Sequence, residues 1–287
     1  MRLCAREAQV RDWRGMAGEL ERVRKALREL GKSLASLHGD LSPQSVHKLR
    51  TASRRVEAVA VVLETAHPKK SRRLVKAIEP VRKAAGEVRN MDVLLAIARK
   101  LARNCAGESL TRLLAHLETA RQQHAGKLAR VLDRRSKTVL EDLKEYFRFV
   151  SSALKRARSS TEANQNQERI HAAAMDVIRE LGGWQPFDAE NLHGFRLKVK
   201  ELRYTLQLDE DADAGLLEAL GDVQRRIGDW HDWQQFKEIA HQVLALERDQ
   251  PLLDRIDKTA RRRFDRALAA ANALRGRYFN MPPAIGV

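Results

Sequence analysis

Apolar residues recur at three- and four-residue intervals along almost the whole chain, and that spacing restricts the fold to packed α-helices. Leu20, Val23, Leu27, Leu30 and Leu34 line one side of a helix expected over residues 15–37. HGDLSPQS (38–45) then reads as a turn, with Asp40 or Ser42 as helix cap and Pro43 in the first turn of the next helix. That helix is expected to reach about residue 66, where His67-Pro68 breaks it. Further helices are expected over 69–83, 87–102, 108–132 and 134–158, and from about 170 to the GGWQP break at 182–186. The rest are expected over 188–208, 216–227, 231–248 and 251–277. KRARSSTEANQNQE (155–168) has no apolar period and reads as a linker or a frayed helix end. DEDADAG (209–215) reads as an acidic loop and FNMPPAIGV (279–287) as a loose tail. No strand pattern is present, so the expected class is all-α.

Composition agrees with this. The chain of 287 residues is 43% hydrophobic but only 5% aromatic, with sparse Gly and Pro, which suits helices rather than sheets. Cys4 and Cys105 make neither a disulfide framework nor a zinc pattern. No apolar run approaches the roughly 20 residues of a membrane span. MRLCAREAQVRDW lacks a secretory h-region, so the expected compartment is the cytoplasm. The formal net charge is +16, which calls for a polyanionic partner. Residues 1–160 hold 36 Lys and Arg against 17 Asp and Glu, whereas residues 161–287 hold 18 against 21. The electrostatic footprint is therefore expected mostly on the first half.

The two halves resemble each other. VHKLRTASRR (46–55) and LHGFRLKVKELR (192–203) both open with an aliphatic residue and His, followed by Arg at +3 and Lys or Arg at +7. This pairs His47 with His193, Arg50 with Arg196 and Arg54 with Lys200. Downstream, GEVRN (86–90) matches GDWHD (228–232), 39 and 35 residues after the respective His. Two matches in the same order point to a duplicated helical unit. At about 100° per residue, His193, Arg196, Lys200 and Arg203 share one helical face, with Tyr204 at its edge. Phe195, Val199, Leu202 and Leu206 take the other. His47, Arg50 and Arg54 align likewise, flanked by Arg55 and opposite Leu49, Val56 and Leu63. A solvated face interleaves Glu with Lys at i,i+4, and these stripes do not.

With these motifs the sequence resembles the CHAD family, the conserved-histidine α-helical domain. VHKLRTASRR, GEVRNMDVLL (86–95), LHGFRLKVKELRYTL (192–206) and the looser LGDVQRRIGDWHD (220–232) carry the resemblance in the expected order. It implies a single domain over 1–287, built of two antiparallel helical bundles, 1–158 and 165–280. It further implies an approximate two-fold between them and a basic central groove or channel. The implied function is binding of inorganic polyphosphate and association with polyphosphate granules, without catalysis. The residues carried over are His47, Arg50, Arg54, Arg55 and Arg89 in the first half, and His193, Arg196, Lys200, Arg203 and Tyr204 in the second. Asp92 matches the family's second motif, whereas Asn90 and Glu57 depart from its pattern.

Polyphosphate has no bases to read, so cation density must recognise it. Arg offers forked contacts to phosphate oxygens and Lys a mobile point charge. Lys83, the repeat mate of Arg225, joins the candidate binding residues. KKSRRLVK (69–76) and Arg82 either widen the surface or are solvated, and the runs at 134–137 and 261–263 are expected to be solvent-exposed. His47 and His193 either bond phosphate as neutral rings or serve the fold. Asp92, Asp229 and Asp232, with His231 among them, are expected to cap helices or pair with the basic stripe; no metal or cofactor is expected. Rival readings are weak non-specific nucleic-acid binding, a phosphotransfer or hydrolytic enzyme, and a scaffold for acidic proteins or membranes. No zinc-finger, RRM, KH, HExxH or P-loop pattern supports the first two. No basic helix carries exposed bulky apolar residues, so membrane insertion is not expected.

Overall fold

The computed structural model describes residues 23–37, 40–62, 68–103, 107–156, 160–207 and 212–279. All regular structure among them is helical. The helices are α1 (residues 23–36), α2 (Pro43–Val62), α3 (Pro68–Ala102), α4 (Glu108–Arg156), α5 (Ser160–Gly182), α6 (Leu192–Leu206), α7 (Ala214–Val243) and α8 (Leu246–Leu274). A π-helical turn, Arg275–Phe279, ends the described chain. The expected start of the first helix, the break at His67, Cys105, residues 209–211 of the acidic loop and nearly all of the tail lie outside the described residues. The end of that loop is instead the start of α7, where Asp213 caps the helix by accepting from the Leu216 N–H.

Several expected breaks are absent. α3 runs through Pro80 and Gly86 because Leu74, Ile78, Val81, Ala85 and Val88 form one buried line. Burying each large member of that line is worth about 1.5–3 kcal/mol. Together they exceed the costs of about 3 kcal/mol for Pro and 1 kcal/mol for Gly inside a helix. α4 is likewise one helix of 49 residues, not two. Leu128, Leu132, Val139 and Leu143 stay buried across the expected gap, and nothing in DRRSK stops a helix. α7 passes through Gly228 between buried Ile227 and Trp230. The stretch expected to be a linker is helical from Ser160 on.

Capping explains two of the starts. The Ser42 hydroxyl accepts from the backbone N–H of Ser45, and Asp40 in turn accepts from the Ser42 backbone and both hydroxyls. α6 begins at Leu192 rather than near 188, because the Asp188 carboxylate takes the backbone N–H groups of Glu190 and Asn191 into a turn.

The chain forms two compact units. One holds the described residues up to Val93 together with Leu117–Gln165; the other holds Leu94–His116 and the described residues from Asn166 onward. The division is thus not a single cut between contiguous halves. In the first unit α1, α2, α3 and α4 share a core containing Leu30, Leu34, Leu49, Val56, Ile78 and Leu128. In the second, α5, α6, α7 and α8 share one containing Leu181, Phe195, Val199, Ile227 and Ala267. The segment 94–116 belongs to the second unit through Asp249, whose buried carboxylate accepts from Ser109 Oγ and from both the Arg112 guanidinium and the Ala245 N–H. Those bonds hold its carboxyl well below the usual range, at about 2.

Candidate functional site

In the second unit the basic face of α6 lies against α7. Leu192, Phe195, Val199, Leu202 and Leu206 face the core, as their spacing requires, and this leaves His193, Arg196, Lys200, Arg203 and Tyr204 half-buried. Arg196 Nε donates to the backbone carbonyl of Gln224 at 3.2 Å, and Arg203 Nη1 donates to the Gln224 side-chain oxygen at 3.1 Å. Both guanidinium groups rest on glycines. A Cβ at Gly228 would stand 3.0 Å from Arg196 Nη2, and one at Gly221 would stand 3.5 Å from Arg203 Cζ. The two arginines are seven residues apart on α6, and the two glycines are seven apart on α7. The result is two rungs, two turns apart, in which planar cations on one helix lie over glycines on the other, with the tight contact at Gly228.

His231 joins the first rung. Its ring centroid lies 4.9 Å from that of His193, and its Nε2 is 3.3 Å from the Gln235 side-chain nitrogen. Burial holds its pKa below the ordinary histidine value, and His193 and Arg196 push it down further. His193 Nδ1 is buried with no hydrogen-bond partner. Lys200 Nζ sits 5.6 Å from the Tyr204 ring centroid.

The first unit builds the equivalent rung from α2 and α3. Arg50 Nε lies 3.9 Å from where a Cβ on Gly86 would stand. His47 is exposed, yet its pKa is lowered by partial burial and then by the Arg89 and Arg50 charges, so the three form one cluster. Arg89 occupies the place that His231 holds in the other unit. Arg54 is half-buried next to Glu57, whose carboxyl it helps to stabilise.

The second rung differs in a way that accounts for Glu57. Glu57 stands at the repeat position of Arg203, and Arg82 at that of Gln224. Arg82 Nε donates to Glu57 at 2.5 Å. The cation has moved from the first helix of the pair to the second, and an acid faces it. Burial raises the Glu57 pKa, with Arg82 and Arg54 opposing that rise.

Two candidates lie in ion pairs elsewhere. Arg55 pairs with Glu29 on α1 at 2.6 Å, and Lys83 with Glu79 one turn earlier on α3 at 2.7 Å. The basic run at 69–76 turns toward α4, with Arg73 bonded to Asp142 and Lys70 to Glu145. Asp92 pairs with Arg121 at 2.7 Å and Asp229 with Arg263 at 2.6 Å, so these acids are bound to arginines outside the expected stripe. Among the described residues no cluster of three metal-type ligands occurs, and no helix is long and apolar enough to cross a membrane. Sequence reasoning passed over Gly221, Gln224 and His231 as members of the site. The signal for the first was present: the seven-residue step between Gly221 and Gly228 copies the step between Arg196 and Arg203.

The clusters combine arginine forks, a lysine and a phenol with weakly basic imidazoles, an arrangement suited to several oxygens of a multiply charged anion. Comparison with known proteins agrees with the motifs. The CHAD domain family model matches residues 21–241. The crystal structure of the CHAD domain from the plant Ricinus communis superposes with a TM-score of 0.61 at 16% identity, covering 93% of this chain and 92% of that one. No curated protein matches the chain.

Proposed function

We propose, from the premise that this chain belongs to the CHAD domain family, that it binds inorganic polyphosphate through the two rung clusters, without turning it over. The observation that carries this reading is that each unit seats an Arg of its His-x-x-Arg motif on a glycine of the neighbouring helix, Arg50 on Gly86 and Arg196 on Gly228. At Gly228 the absent side chain leaves room for the Arg196 guanidinium, which a Cβ would crowd, whereas the contact of Arg50 with Gly86 is an ordinary one. Successive turns place the cations about 5.4 Å apart, a spacing that a flexible phosphate chain can follow. The reading includes residence on cytoplasmic polyphosphate granules. Binding without catalysis is supported by the nearby carboxylates: Glu57, Asp92 and Asp229 are all held in arginine ion pairs and are not poised as bases. Weak nucleic-acid binding is the expected by-product of the +16 charge.

The test is a titration of the full chain with long-chain polyphosphate and with duplex DNA of matched charge at about 0.2–0.5 M salt, where simple charge attraction is screened. Polyphosphate binding should persist while DNA binding collapses. Arg50→Glu combined with Arg196→Glu should abolish the persistent binding and leave the helical circular-dichroism spectrum intact. Equal fading of both ligands would show a merely basic protein. Phosphate release that disappears in His47→Ala would show an enzyme.

A further inference from the structure

The middle of α4 carries a cationic surface that the rung clusters do not use. Lys127, Arg130, Arg134, Lys137, Lys144 and Arg148 are all exposed. At about 100° per residue they fall within an arc of about 100°, with Glu141 inside it and Glu145 at its edge, the latter paired with Lys70 and Arg73 of α3. The centre of that arc is opposite the buried line Leu128, Leu132, Val139, Leu143, Tyr146 and Val150. None of the six cations makes an ion pair with the described residues, although Asp133 and Glu141 stand on the same stretch. The exposed side of α8 is different: there Asp254, Asp257 and Asp265 interleave with Arg255, Lys258 and Arg261, the ordinary pattern of a solvated helix. On α4 the like charges stand at i,i+3 and i,i+4, where each pair destabilises the helix unless something neutralises it.

We propose that this stripe is a second polyphosphate-binding surface, separate from the rung cluster of the same unit, so that one molecule holds two strands. This rests on the reading of the clusters as polyphosphate sites. Three features favour a phosphate strand as the occupant. The stripe is straight and runs for about 32 Å, from Lys127 to Arg148, at 1.5 Å per residue. A flexible single strand can meet all six cations. A duplex cannot, because its backbones wind away from a straight helix and meet it only where they cross. The stripe also carries no aromatic or amide side chain with which to stack on bases or read their edges. Separateness follows from the core. α2, α3 and α4 bury one shared cluster, and the stripe is on the side of α4 turned away from it. A strand against Arg50 and Gly86 cannot also lie on the stripe without passing around the unit. Two separate surfaces make the protein a cross-linker of polyphosphate.

The experiment uses the full chain carrying Lys127→Glu, Arg130→Glu, Arg134→Glu and Lys137→Glu, with a Gln version of the same four positions in case charge reversal perturbs the helix. Two probes are used, a short polyphosphate oligomer and long-chain polyphosphate. Short-oligomer affinity should stay within about twofold of wild type, because the rung clusters are untouched. Light scattering at charge balance with the long chain should fall at least about tenfold. The slope of log K against log salt for the long chain should flatten by about 3, the value for four lost contacts to a single strand. Unchanged scattering and slope would overturn the stripe while leaving the clusters standing. Failure of wild type to bind even the short oligomer would overturn the cluster reading and the stripe with it. An equal loss of charge-matched duplex DNA binding would show an unselective cationic face and overturn the assignment to a phosphate strand.

Discussion

Replacing Gly228 with alanine adds one methyl group where Arg196 crosses α7, and the repeat supplies its own control at Gly86. The new Cβ would stand 3.0 Å from Arg196 Nη2 and 3.4 Å from Nε, closer than carbon and nitrogen sit in ordinary contact. The guanidinium must move by a few tenths of an ångström, which strains its 3.2 Å bond to the Gln224 carbonyl. Alanine gains about 0.5–1 kcal/mol over glycine inside a helix. A weakened hydrogen bond costs up to about 1.5 kcal/mol. The stability of Gly228→Ala should therefore stay near that of wild type. Its binding should not. A charge-assisted contact from arginine to phosphate is worth about 1.5–3 kcal/mol, and misplacing part of it should lower short-polyphosphate affinity about 3- to 10-fold. At Gly86 the nearest atom to the new Cβ is Arg50 Nε at 3.9 Å, an ordinary contact. Gly86→Ala should keep affinity within about twofold and raise Tm by about 1–4 °C. Thermal unfolding and oligomer titration of the two variants, with Arg196→Ala alongside, make the comparison. If both alanine variants lose the same affinity, the asymmetry argued from the contacts is wrong. If Gly228→Ala binds like wild type while Arg196→Ala does not, the glycine is not what positions the arginine.

Because His47 and His231 have lowered pKa values, both are mainly neutral in the free protein at pH 7.5, and a bound polyanion favours their charged forms. Polyphosphate affinity should rise as pH falls through the region of 6.5, with proton uptake on binding; His231→Asn should flatten the second-unit part of that rise. The same shifts act oppositely on stability: the contribution of neutral His231 is present above the unfolded pKa of about 6.5 and is lost as pH falls through its lower folded value, which a Tm-against-pH series reads. Asp249→Asn should lower the melting temperature at pH 7 and remove the acid limb that wild type shows as pH falls toward about 2, because its depressed pKa stabilises the fold only above that range. Arg121→Ala should cost about 3–5 kcal/mol in urea unfolding by leaving the Asp92 carboxylate buried without its ion pair, whereas Arg121→Met with Asp92→Leu should cost much less.

The sequence by itself determined the helical class, the apolar sides of α1, α2 and α6, and the two cationic stripes. These follow from spacing along a single helix, where side-chain direction is set by local geometry alone. Leu192, Phe195, Val199, Leu202 and Leu206 are buried together because no other face of α6 can enter a core. The duplicated motifs likewise identified Arg50 and Arg196 with their glycines before any contact was known. Helix length was decided elsewhere. Pro80, Gly86 and Gly228 are local weak points, and only the summed burial of neighbours from other helices carries α3 and α7 through them. Partner choice also needed three dimensions. Whether an arginine stays in a cationic cluster or pairs with an acid depends on what lies across from it, as Arg55 with Glu29 and Arg82 with Glu57 demonstrate. Segment 94–116 joins the second unit rather than the first because Asp249, more than 130 residues away, collects Ser109 and Arg112. Periodicity acts within a few turns of one helix; ion pairing and core burial act between turns distant in sequence, and those are the choices that tertiary structure made.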